Sequence, residues 1–161
     1  MKPATVVTIK NELKHLSEKE LMEICLKLAK FKKENKELLT YLLFEADDEE
    51  GYIKEIKEEM DEMFNEINTS HVYYVKKGVR KMLRNIKKYI RYSKNKETEA
   101  ELLLYFCGKL KELKASHHRS QQLTNLYDRQ LAMAKKAIGT LNEDLQYDFN
   151  QEIEENHSDM F

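Results

Sequence analysis

Apolar residues recur at spacings of three and four along almost the whole chain, the period of helices that each bury one face. Over 5–16, Val6, Ile9, Leu13 and Leu16 predict a short amphipathic helix, with Pro3 near its start, where a missing amide hydrogen costs nothing. Ser17 and Glu20 form a capping box, and from it a helix is predicted over 17–33 with Leu21, Ile24, Cys25, Leu28 and Phe31 on one side. Leu38, Leu39, Tyr41, Leu42, Leu43 and Phe44 are apolar nearly all round, which predicts a segment at the centre of the packing. After a polar break over 47–51, Ile53, Ile56, Met60, Met63, Phe64 and Ile67 mark a helix over 52–68.

Thr69 and Ser70 supply the next boundary, and a longer helix over 71–92 carries Val72, Val75, Val79, Met82, Leu83, Ile86 and Ile90. Thr98 with Glu101 reads as a second capping box after a polar linker over 93–97. The helix over 100–115 packs Leu102, Leu103, Leu104, Tyr105, Phe106, Leu110 and Leu113 around its circumference, so it too is expected at the centre. From 116 the beat continues through Leu123, Tyr127, Ala134, Ile138, Phe149 and Ile153. A break is expected near 139–142 and fraying over 156–161.

Scarce Gly and Pro, with abundant Lys, Glu and Leu, favour helix throughout and leave few signals for tight strand turns. The expected fold is therefore all-α, a single helical domain over 1–161. Short turns within helix pairs starting near Ser17, Glu50 and Thr98 suggest antiparallel pairs stacked as an α–α superhelix of the HEAT type. The alternative is a closed helical bundle. No repeat signature supports the superhelix, because the pair starts are unequally spaced.

Charge changes the picture most. The formal net charge is −1, but over 45–66 eleven acids face two lysines, and over 71–96 there are ten bases and no acid. Lys77, Arg80, Lys81, Arg84, Lys87, Lys88 and Arg91 recur at three and four, so most share one helical face. If the two helices lie antiparallel, the acids can neutralise the bases internally, and this is the leading expectation. If the basic face stays open, it suits an acidic protein partner or the phosphates of a nucleic acid, with Tyr73, Tyr74, Tyr89 and Tyr92 available for stacking.

Other chemistry is thin. Two Glu-x-x-His spacings, Glu12 with His15 and Glu154 with His157, have the register of a di-iron bundle but lie at the chain ends. His117, His118 and Arg119 read as a solvated turn, since adjacent histidines on a helix point about 100° apart. Cys25 and Cys107 sit among apolar residues and are expected buried and unreactive. Gly78 and Gly108, both in helix interiors, are read as points of close helix approach, and the methionines mainly as core.

The sequence thus predicts a non-enzymatic helical scaffold or adaptor that binds another macromolecule, first of all a protein, with self-association included. Nucleic-acid binding through the basic helix over 76–91 is the alternative, and a metal-dependent bundle enzyme the remote one. No cofactor or metal is expected. The N-terminus lacks a secretion signal and no apolar run approaches the ~20 residues of a membrane span, so a cytoplasmic location without membrane contact is expected.

Overall fold

The structure, a computed structural model, describes residues 1–116 and 120–158. His117, His118 and Arg119, and the last three residues of the tail, lie outside them. Eight α-helices and no strand occur among the described residues, so the all-α expectation holds. They form two compact units, 1–44 and 45–161.

In unit 1, Thr5 caps α1 (Val6–Leu13) by accepting from the Thr8 amide. Ser17 opens α2 (Glu18–Phe31) through the predicted capping box, with Ser17 Oγ accepting from the Glu20 amide and the Glu20 carboxylate from the Ser17 amide. Lys32 adopts an extended conformation and turns the chain into α3 (Lys33–Thr40), which packs back on α2. Asn35 Nδ2 donates to the Leu28 carbonyl at 2.8 Å and ties the corner. A π-helical turn, Tyr41–Glu45, leads out of the unit.

Two expectations fail here. Leu38, Leu42, Leu43 and Phe44 are not central but exposed, and of this segment only Tyr41 is buried. The α2 stripe is equally open: Ile24, Leu28 and Phe31 are exposed, as is Cys25. The physical reason is element count. At about 100° per residue, the apolar positions of α2 spread over some 220°, and one short partner helix covers roughly half of that.

Unit 2 is built around α6 (Lys96–Ser116), which packs against α4 (Glu49–Asn65), α5 (Val72–Ser93), α7 (Gln121–Ile138) and α8 (Glu143–His157). Its all-round apolar character is the cause. Ala100, Leu102, Leu103, Leu104, Phe106 and Cys107 are at most 1% exposed, and each fully buried large apolar side chain contributes about 1.5–3 kcal/mol. A core of Ala100, Leu103, Leu104, Ala134, Ala137, Ile138, Phe149 and Ile153 joins α6, α7 and α8. Pairs of packed helices are present, yet α6 sits among four neighbours, an arrangement that pair-by-pair stacking does not require.

Asp48 caps α4 through the Gly51 amide and Asn142 caps α8 through the Leu145 amide, so the break expected near 139–142 is real. The second capping box is not. Asn95 Oδ1 accepts from the Glu97 and Thr98 amides, while Thr98, fully buried, donates its hydroxyl to Glu49 at 2.6 Å. Glu101 pairs instead with Lys57 at 2.6 Å. Helix α8 continues through Asn156 to a buried His157, two residues into the segment expected to fray.

Candidate basic interface on α5 and α7

One row of α5, Val75, Val79, Met82 and Ile86, is buried to 2% exposure or less. Taking about 100° per residue, Lys77, Arg80, Lys81, Arg84, Lys87, Lys88 and Arg91 fall within an arc of about 120° roughly opposite that row. The helix closes on Lys94, in the left-handed conformation with φ 55°, whose amide caps the Ile90 carbonyl.

The expected neutralisation by α4 does not reach most of this face. Helix α4 touches a different flank of α5: Tyr52 Oη donates to the Tyr89 carbonyl at 2.9 Å, Tyr89 Oη to Glu59 at 2.9 Å, and Ser93 Oγ to Glu49. Gly78 meets Ile67 on the same flank. Of the α4 acids, Glu49 and Glu59 thus accept from hydroxyls, Glu58 pairs with Lys54 of its own helix, and Asp61 turns to α6, where it accepts from Tyr105 Oη at 2.8 Å and pairs with Lys109 at 2.7 Å. The Lys109 hydrogen bond holds the Asp61 carboxyl below its ordinary range. Among the described residues, no carboxylate lies within 4.0 Å of the charged groups of Lys76, Lys77, Arg80, Lys81, Arg84, Lys87 or Arg91. Like charges at three and four apart cost about 0.2–0.5 kcal/mol per pair at low salt, and no carboxylate relieves it at those seven cations.

The neighbour on the basic side is α7. Gln122 Oε1 accepts from Lys76 Nζ at 3.1 Å and Arg80 Nη2 at 3.3 Å, and Lys87 Nζ lies 3.7 Å from Met133 Sδ. These contacts make α5 and α7 run parallel. Arg129 and Lys136, both exposed, share the Gln122–Met133 row of α7. Arg129 falls between the two contacts along α7 and Lys136 one turn beyond the second. The one acid of α7, Asp128, lies about 120° round the helix from Gln122. Sequence reasoning missed Arg129 and Lys136 because their relevance depends on which helix lies beside α5.

Of the four interleaved tyrosines, only Tyr73 and Tyr74 are exposed, their rings 5.5 Å apart, and only Tyr73 lies on the cationic arc. Tyr89 and Tyr92 stack edge-on at 6.2 Å and Tyr89 also supports Lys88 at 4.9 Å. The remaining sequence candidates stay apart. His15 and Glu12 are exposed on α1's end; His157 turns from Glu154 to Tyr127, with Tyr127 Oη 2.8 Å from Nδ1. Among the described residues no three His, Cys, Asp or Glu side chains converge as a metal site, and no helix is long and apolar enough to cross a membrane. Both thiols are free; burial pushes Cys107 up to about 12. Gly108, expected at a close helix approach, has nothing within 4 Å of where a Cβ would stand, whereas Gly78 is as tight as expected. Comparison with family models, with curated proteins and with solved structures finds no match to this chain.

Proposed function

We propose that this chain is a non-enzymatic helical adaptor that binds a negatively charged macromolecule through the outward face of α5. The observation that carries the reading is the set Lys77, Arg80, Lys81, Arg84, Lys87 and Arg91, spanning about 21 Å at 1.5 Å per residue, none of which has a carboxylate within 4.0 Å among the described residues. A helix that retains such repulsion in isolation gains from an external anion what its own fold does not supply. The test is retention on a polyanionic matrix. The wild-type chain should bind at about 50 mM salt and elute as salt screens the contact. Lys77→Glu/Arg84→Glu/Arg91→Glu should elute much earlier with an unchanged circular-dichroism spectrum. A wild-type chain that flows through at low salt would sink the proposal.

A second reading, contact with a protein, is supported by unit 1. Met22, Ile24, Leu26, Leu28, Phe31, Leu42, Leu43 and Phe44 are 38–77% exposed. A second copy of the chain is the occupant of this reading, because one self-complementary patch suffices for a two-fold dimer.

A further inference from the structure

We infer that α5 and α7 together form one two-helix surface that holds the phosphodiester backbone of a duplex nucleic acid without reading its bases. This rests on the adaptor reading above and names its partner. Three observations choose a duplex over an acidic protein. First, the contact surface is poor in apolar anchors, with Tyr73 on α5 and Met133 on α7 as its exposed large side chains. The outward arc of α5 holds Lys77, Arg80, Lys81, Arg84, Lys87, Lys88 and Arg91, with Tyr73 as its aromatic side chain. Tight protein partners are held mainly by buried aromatic and apolar anchors, whereas a polyelectrolyte needs only cations.

Second, the dimensions fit. The row extends about 21 Å, a length over which a duplex presents about six phosphates per strand at 3.4 Å spacing. Third, the cations continue sideways. Lys76 and Arg80 reach Gln122, Lys87 reaches Met133, and Arg129 and Lys136 stand exposed on that same row of α7. The α5 row and the two α7 cations beside it make a surface broad enough to meet more than one line of phosphates. Single strands fit less well, because Tyr89 and Tyr92 are turned to each other and, for Tyr89, to Glu59. That leaves only Tyr73 on the arc for base stacking.

The test titrates the full chain into a fluorescent 24-base-pair DNA duplex, the same duplex as RNA, polyglutamate, and phosphatidylserine vesicles, across a salt series. The expected result is duplex binding insensitive to sequence, with log K falling against log salt at a slope of about −5 or steeper. Arg129→Glu/Lys136→Glu should weaken it at least tenfold more than Lys54→Glu/Lys135→Glu, which makes the same net-charge change away from this row. DNA and RNA duplexes bound comparably support backbone holding; one bound far better identifies the source. Polyglutamate or vesicles bound as tightly as the duplex overturn the nucleic-acid inference and leave the α5 reading standing. No polyanion bound overturns both. Duplex binding unaffected by the α7 pair overturns the two-helix surface alone.

Discussion

An alanine at position 108 would place its Cβ in open space, while one at position 78 would stand 2.9 Å from Ile67 Cγ1. Replacing a helix-interior glycine by alanine gains about 1 kcal/mol from propensity alone. Gly108→Ala should therefore raise the unfolding free energy by about that amount, read as a higher urea midpoint at unchanged slope. At Gly78→Ala the same gain is opposed by displacing the root of a branched side chain, and the midpoint should fall. Equal effects at the two sites would refute the account of Gly78. His157 gives a residue-scale pH effect. Burial, and then the positive Lys111 and Lys135, lower its pKa below 6.5. A depressed histidine contributes stability fully present above 6.5 and lost as pH falls through its folded value. Glu152, raised by burial, acts in the opposite sense above 4.5. The measurement is therefore the difference between wild type and His157→Gln: the wild type should lose more stability between about pH 7.5 and 5. Iodoacetamide offers a third check, since the exposed Cys25 should react in the native chain and the buried Cys107, pushed up to about 12, should not.

At the scale of elements, α4, α5 and α6 are stitched by hydroxyl-to-carboxylate bonds, and Glu49 is their junction, accepting from Ser93 and Thr98. Thr98→Val keeps the shape and removes one donor to a half-buried carboxylate, which should cost about 1–2 kcal/mol. A neutral result would mean that the bond contributes nothing net. Thr98 also shows what a sequence conceals. Its spacing to Glu101 has the form of a capping box, but Asn95 starts the helix one turn earlier by accepting from the Glu97 and Thr98 amides, which frees Thr98 for a tertiary bond. The helices themselves were legible because their periodicity, capping residues and breaks are local quantities. Central placement was legible only where enough neighbours exist: α6 and the 38–44 segment have similar apolar density, yet one is surrounded and the other open. The basic row was readable as a row from Lys77 to Arg91. Its openness was not, because antiparallel pairing of α4 and α5 fixes which helices touch and leaves undetermined which flank they use.

For the whole molecule, charge is arranged by face within unit 2 and apolar surface is left over in unit 1. Acids concentrate on α4 and α8 and bases on α5 and the adjoining row of α7, so a net charge near zero conceals a polarised unit. At physiological salt the screening length is about 8 Å, shorter than the basic row, so a ligand against α5 senses the local cations more than the total. Unit 2 holds its own buried core, whereas unit 1 buries only Ala29 and Tyr41. A fragment comprising 45–161 should then unfold cooperatively and keep the salt-dependent binding of the full chain, since every residue of the basic surface lies within it. If the apolar residues of unit 1 join two copies, sedimentation of the full chain should show a mass that rises with concentration, and the fragment should stay monomeric. Leu28→Asp/Phe31→Asp in the full chain should abolish the rise without weakening retention on a polyanion. A fragment that dimerises as well as the full chain would place the contact elsewhere, and a variant that loses both properties would show that the two surfaces do not act separately.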